Sequence, residues 1–221
     1  MLGMKIDLVS DVVCPWCVVG LKSLDIALQR LGPGFEPVAL SFQPFELNPQ
    51  MPPEGEDITE HLSRKYGLTP DQVKSNQQSI QARAAAVGFD FRMDKRSRTW
   101  NTFDTHRLLH WAHEVNPAQQ RALKEALFSA YFTDGLNPGS HEVLLRLSGE
   151  VGLDTQEAQA ILSSERYAAE VREAEAFWQQ AGIRSVPAFI INNKHLISGG
   201  QPPEVFEQAL RQIAAEGSAE A

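Results

Sequence analysis

Strand-like sequence is confined to the two ends of this chain of 221 residues, and the long middle has the period of helices. Ile6, Leu8 and the Val12-Val13 pair mark an extended apolar segment from Lys5 to Val13. Leu21, Leu24, Leu28 and Leu31 then recur at spacings of three and four, one face of a helix that Gly32-Pro33-Gly34 ends. Val38, Leu40 and Phe42 alternate with Ala39, Ser41 and Gln43, which predicts a second strand between Pro37 and Leu47, closed by Pro44 and Pro49. From there to about Ser164 the pattern predicts helices over Ile58–Tyr66, from Thr69-Pro70-Asp71 to Gly88, and over Thr102–Val115, Pro117–Phe132, His141–Val151 and Thr155–Leu162, uninterrupted by a strand. After a helix over Tyr167–Gln180, the β-rich run Ala188-Phe189-Ile190-Ile191 restores strand character. Asn192-Asn193-Lys194 reads as a hairpin turn into His195–Ser198, Pro202–Ala215 as a closing amphipathic helix, and Gly217–Ala221 as a frayed tail.

This order describes an α/β sheet domain split by an all-helical insertion. The expected division is residues 1–49 for the first part of the sheet domain, 50–164 for the insertion and 165–221 for the second part. Hydrophobic residues make up 43% of the chain, enough for one sizeable core. The start has no basic region followed by an apolar stretch, and no apolar run approaches membrane-spanning length, so a cytoplasmic protein with no membrane partner is expected. A formal net charge of −8 without a basic stripe argues against nucleic acid.

The chemistry concentrates in Cys14-Pro15-Trp16-Cys17, which holds the only two cysteines and sits where the first strand gives way to the first helix. Sulfurs at i and i+3 in a first helical turn can be bridged, and a helix N-terminus stabilises a thiolate. Pro15 fits the first turn, where its missing N–H costs nothing. Cys14 at the N-cap is expected to be the acidic nucleophile, since cysteine pKa values at such positions fall from about 8.5 to roughly 3.5–7.5. Cys17, a turn deeper, is the expected resolving thiol. A lone cysteine pair in a reducing compartment suits catalysis better than structure. The competing reading is a structural zinc site completed by His106 and His110, four residues apart on a predicted helix. Asp11, three residues before Cys14, reads either as a turn or cap residue or as a proton relay for Cys17.

Four segments together resemble a known family: Asp11-Val12-Val13-Cys14-Pro15-Trp16-Cys17, Phe45-Glu46-Leu47-Asn48-Pro49, Asn101-Thr102 with His106-Arg107, and Ser198-Gly199-Gly200-Gln201-Pro202-Pro203. In this order, with Val186-Pro187 leading into the later strand, they resemble the FrnE-like branch of the DsbA-family thiol–disulfide oxidoreductases over essentially the whole chain. The resemblance implies a thioredoxin-like fold interrupted by a helical insertion. It implies a cis Pro187 beside the dithiol with the backbone of Val186 available to substrate, and an Asn101, His106, Arg107 segment facing the dithiol across a cleft. Without it, His106, His110 and His113 read as a partly exposed helix face.

The activity implied is dithiol–disulfide exchange on substrate proteins or small thiols, by a monomer or homodimer, with no metal or organic cofactor and glutathione as a possible co-substrate. Trp16 stands where strongly oxidising DsbA proteins carry histidine, so it reads as either the cause of a more reducing potential or an apolar platform for substrate. Two further readings stay open. Kappa-class glutathione transferases and 2-hydroxychromene-2-carboxylate isomerases are similar in architecture and bind glutathione beside the proline loop; the helix after Ser198-Gly199-Gly200-Gln201 could hold a carboxylate at its N-terminus. Those relatives generally carry serine where this chain has its cysteine pair. The other reading is a non-catalytic chaperone using the cleft.

Overall fold

The structure, a computed structural model, describes residues 4–35 and 39–219. Pro37 and Val38, the expected opening of the second strand, lie outside those residues, as do Met1-Leu2-Gly3 and the last two residues of the tail. Strand β1 (Lys5–Ser10) is an inner strand of a four-stranded sheet ordered β2-β1-β5-β6, formed with β2 (Ala39–Pro44), β5 (Ala188–Ile191) and β6 (His195–Ser198). β1 and β2 run parallel, in register from Lys5 with Ala39 to Ser10 with Pro44. A parallel pair needs a crossover, and helix α1 (Pro15–Leu31) supplies it. β5 pairs with the other edge of β1 in the antiparallel sense, Leu8 opposite Phe189, and returns as β6 through Asn192 and Asn193 at φ 53° and 56°. Asparagine tolerates that left-handed conformation well, which is why this dipeptide makes the turn.

The edge of β2 is closed by the insertion. The Gln120 side chain accepts from the Phe42 N–H at 3.1 Å and donates to the Phe42 carbonyl at 2.9 Å, satisfying a backbone edge that would otherwise be open. The insertion contains helices α2 (Ile58–Tyr66), α3 (Pro70–Ala86), α4 (Phe103–Val115), α5 (Pro117–Phe132), α6 (His141–Glu150) and α7 (Thr155–Leu162). α8 (Ala168–Gln180) and α9 (Pro203–Ala219) complete the chain, with α9 packed on α1. One apolar cluster runs from Leu8, Leu21 and Phe189 through to Leu108, Leu123 and Phe128, so sheet and insertion are packed around a common interior. Among the described residues no helix is long and apolar enough to cross a membrane.

Several details depart from the sequence expectation; the first strand ends at Ser10, short of Val13. Two short strands, β3 (Glu56–Asp57) and β4 (Arg98–Thr99), pair within the helical block; strands of two residues are too short to show alternation. The helix opened by the Thr69–Gln72 capping box stops at Ala86. The last helix continues to Ala219, into the expected frayed tail, carried by the good helix formers Ala214, Ala215 and Glu216 just before it.

α8 is fastened to the segment after β2 by two buried carboxylates that share a half-exposed arginine. The Arg172 guanidinium bonds Glu46, lies 2.8 Å from Glu175, and sits 3.8 Å from the Phe103 ring centroid. One oxygen of each carboxylate, Oε1 of Glu46 and of Glu175, finds no hydrogen-bond partner among the described residues. Burial and then the Glu175 charge push Glu46 up to about 7, against the opposing pull of Arg172. Glu46 therefore binds its proton more tightly folded than unfolded. The stability it contributes is complete below the ordinary carboxylate pKa of about 4.3 and is lost as pH rises through the folded value. Glu46→Gln is expected to stabilise the protein by roughly 1–3 kcal/mol at about pH 8 and to change it little at about pH 4, measured by urea unfolding at both.

Candidate active site

The chain leaves β1 at Ser10, turns through Asp11-Val12-Val13 and enters α1 with Cys14 as its N-cap, at φ −90° and ψ 111°. Pro15 occupies the first turn, and the Cys17 N–H donates to the Cys14 carbonyl at 3.1 Å. The loop before β5 meets this turn from the other side. The Val186–Pro187 peptide is cis, and the Cys14 thiol lies 3.7 Å from the Val186 carbonyl, to which it donates. Gly20, on the next turn of α1, makes that approach possible: a Cβ there would fall 3.0 Å from the Phe189 ring and 3.2 Å from Pro187. Both cysteines are free thiols. Cys14 is 3% exposed and lines a cleft of about 910 Å³; Cys17 is 0% exposed and does not line it.

Apolar side chains dominate the cleft, with Trp16 and Leu47 on the sheet side and Leu62, Tyr66 and Val73 from α2 and α3 opposite. Arg184, Ser185 and Val186 form another wall. The Trp16 ring lies 5.7 Å from the Arg83 guanidinium, which donates to the Gly200 carbonyl at 3.1 Å. Lys65 donates to the Leu47 carbonyl and to Asn48 at 2.8 and 2.7 Å, holding the Phe45-Glu46-Leu47-Asn48-Pro49 segment against α2.

Behind Cys17 the interior is charged. Burial, followed by the neighbouring Cys14, pushes the Cys17 thiol well above its ordinary pKa. Asp11, 0% exposed, behaves the other way. Although burial opposes ionisation, the bond from His106 at 3.2 Å, its charge and the Leu47 N–H at 2.8 Å together hold the carboxyl below its usual range. The Val12 N–H also donates to Asp11 at 2.8 Å. Asp11 is thus an ionised anchor for the turn and for His106. That is the turn or cap role, one of the two read for it from the sequence.

Cys14, Cys17, Pro15, Trp16, Val186 and Pro187 come together as the sequence implied, and Asp11 and His106 join beneath them. Asn101 and Arg107 do not. Asn101 donates to the Met51 carbonyl at 3.0 Å and accepts from the Phe103 N–H at 2.9 Å, fixing the start of α4. Arg107 spends its guanidinium on the carbonyls of Ile161, Ser164 and Arg166 and on Asp104, tying α4 to the end of α7; neither residue lines the cleft. The two histidines of the zinc reading also diverge: His106 engages Asp11, whereas His110 lies 3.7 Å from Glu114 and faces the Tyr167 ring.

Two residues escaped the sequence reading. Glu46 lines the cleft, and Lys124 is fully buried on α5, where its charge acts on Cys17. Lys124 did leave a signal, since it shares an apolar helix stripe with Leu123, Leu127, Phe128 and Tyr131.

A family model for the DSBA-like thioredoxin domain matches residues 5–211. The chain is 34% identical to a probable DsbA oxidoreductase from Streptomyces coelicolor, with a TM-score of 0.86 over 96% of this chain and 91% of that one. It is 29% identical over 210 residues to the protein YwbO of Bacillus subtilis (strain 168), covering 95% of this chain and 96% of that protein. A structure of the cytosolic disulfide reductase DsbM from Pseudomonas aeruginosa with GSH shares the fold, with a TM-score of 0.65 and 18% identity over 96% and 98% of the two chains. On the extent of the model match, this chain belongs to the DSBA-like thioredoxin domain family of oxidoreductases.

Proposed function

We propose that the protein catalyses thiol–disulfide exchange, with Cys14 as nucleophile and Cys17 as resolving thiol. The observation that carries this reading is the unequal placement of the two sulfurs: Cys14 lines the cleft, and Cys17 is sealed behind it. In the reducing direction the Cys14 thiolate attacks a substrate disulfide, one substrate sulfur leaves, and a mixed disulfide forms. Cys17 then gives up its proton and attacks the Cys14 sulfur, the mixed disulfide breaks, and the second substrate thiolate departs as the Cys14–Cys17 disulfide forms. Two electrons pass from the dithiol to the substrate. The oxidising direction is the reverse.

The apolar cleft suits an extended peptide or a small thiol, with Trp16 as a flat wall and the Val186 N–H, which finds no partner among the described residues, as donor to it. Glutathione is the small thiol favoured as co-substrate, by analogy with the DsbM structure. The reading places the protein in the cytoplasm, where the ambient poise keeps such a pair largely reduced and favours reductase or isomerase work. The cysteine pair also favours exchange over glutathione conjugation, which needs no second thiol at the buried position.

Cys14→Ser is expected to reduce insulin-disulfide reduction to the uncatalysed background. Cys17→Ala is expected to accumulate a Cys14 mixed disulfide visible by mass spectrometry; activity surviving in Cys14→Ser would refute the assignment. Because Trp16 presents neither a positive charge nor a donor to the Cys14 sulfur, the reduced form lacks the stabilisation of the strongest oxidants. Equilibration with glutathione buffers is expected to give a potential well below about −120 mV, and a value at or above that would remove the reductase reading.

A further inference from the structure

The chain as a whole is acidic, with 28 Asp and Glu against 20 Lys and Arg, but the cleft in front of Cys14 has the opposite sign. Lys65, Arg96 and Arg184 line it together with His61, and Glu46 is the only carboxylate among its described lining residues. Glu46 is itself bonded by Arg172, and burial and the Glu175 charge push it up to about 7, so its charge is incomplete near neutral pH. Charges on distant surfaces are screened over a Debye length of about 8 Å at physiological salt. A group bound in the cleft therefore responds to this local excess of cations and little to the net charge of −8.

Most of these cations are already engaged. Lys65 holds the Leu47 carbonyl and Asn48, and His61 contacts Glu56 at 2.7 Å and Asn48 at 3.0 Å. Arg96 is buried, donates to the Tyr131 hydroxyl at 3.0 Å and lies against the Phe91 and Phe132 rings. Arg184 is the exception. It is exposed on the loop that leads into the cis Val186–Pro187 peptide and, among the described residues, makes no hydrogen bond, ion pair or ring contact. The Ser185 hydroxyl beside it and the Val186 N–H are likewise without partners among the described residues. Three successive residues thus hold open donors on the loop whose Val186 carbonyl takes the Cys14 thiol at 3.7 Å. Open donors beside a reacting sulfur call for an acceptor on the substrate, and the acceptor that a guanidinium fits best is a carboxylate held by two parallel N–H bonds.

We propose that the cleft selects a peptide disulfide carrying an aspartate or glutamate next to its cysteine, with Arg184 as the residue that reads the carboxylate. This names the substrate class of the exchange reaction proposed above and rests on that reaction. The cleft itself favours an extended peptide over a lone small thiol. Its volume of about 910 Å³ lies near the top of the range of roughly 300–1,000 Å³ that encloses a whole drug-sized ligand. On the opposite wall, α3 contributes the side-chain amides of Asn76 and Gln77, which have no partner among the described residues. An amide offers both a donor and an acceptor, which suits the N–H and C=O groups of an extended backbone. The Val186 N–H supplies a further donor to the same backbone, so the peptide chain is held by neutral groups and Arg184 is left for its acidic side chain.

The test takes the reduced protein and short peptides joined by a disulfide to a common fluorescent thiol, identical except for Glu, Gln or Lys beside the cysteine. Release of the fluorescent thiol in a single turnover is followed by stopped flow. Each rate constant is divided by that of the same disulfide with 2-mercaptoethanol, which removes the intrinsic effect of the neighbouring charge. In the wild type the Glu peptide is expected to exceed the Lys peptide roughly 10-fold at low ionic strength, with the Gln peptide between them and the ratio shrinking as salt is added. Arg184→Glu is expected to bring the ratio to about one or below, and Arg184→Lys to keep the larger part of it. Because the ratio is taken within each variant, any change in the reactivity of Cys14 cancels. A wild-type ratio within about twofold of one overturns the proposal, as does a ratio in Arg184→Glu that stays within about twofold of the wild type. Normalised reaction with glutathione disulfide about tenfold faster than with the Glu peptide would assign the cleft to a small thiol and overturn the peptide occupant. Absence of release from every disulfide in the wild type would instead sink the exchange mechanism itself.

Discussion

β1 is paired on both sides by strands that arrive from opposite ends of the chain, and the site is a consequence of that pairing. β2 reaches it in parallel after the α1 crossover, and β5 reaches it antiparallel after the whole helical insertion. The turn leaving β1 therefore sits beside the loop entering β5, although Cys14 and Val186 are 172 residues apart. The spacing between these two turns is narrow enough to exclude even a methyl group at Gly20 without movement of Phe189 or Pro187. A side chain there would lift the first turn of α1 off the proline loop, so glycine at this helical position trades helix propensity for proximity.

The pairing also divides labour between two sulfurs that are only three residues apart. One turn of helix carries Cys17 from the rim of the cleft into the interior, where desolvation makes its thiolate costly. Cys14 keeps the open side and a carbonyl partner. Exchange needs this inequality: two equally open thiols would compete for the substrate, whereas a sealed second thiol attacks only a sulfur already delivered to its neighbour. The charged groups below the pair matter for the same reason, because each change of oxidation state alters the charge of a region that water reaches poorly.

Much of this was legible in the sequence, for reasons of pattern. The four main strands and the long helices follow hydrophobic period and cap chemistry, and the cysteine pair is marked by its place between strand and helix. The resemblance to DsbA-type proteins added the proline loop, which local pattern alone would have left as an ordinary strand start. What stayed hidden depends on contacts between distant residues. The family resemblance implied a cleft position for Arg107, but its donors satisfy the carbonyls that end α7. Asp11 read as a cap or a relay from its spacing to Cys14; its contact with His106, 95 residues away, had no local signal. β3 and β4 are too short for any periodic signal. Lys124 was visible as a charge on an apolar stripe, a conflict between local and global preference of the kind that functional sites retain.

The insertion, finally, takes part in the site's chemistry. α2 and α3 wall the cleft in front of Cys14; α4 and α5 place His106 and Lys124 around a second cavity of about 130 Å³. A thioredoxin-like sheet with the same Cys-Pro-Trp-Cys turn and a different insertion would present the same two sulfurs to other substrates and in another electrostatic setting. The Lys124 charge and the Asp11 backbone both favour a Cys17 thiolate, against the larger opposing effects of burial and of Cys14. A helix from the insertion thus acts on the charge of the buried sulfur. The direction in which a member of this family works is accordingly a property of the sheet and insertion together, and the four residues of the motif are insufficient to read it.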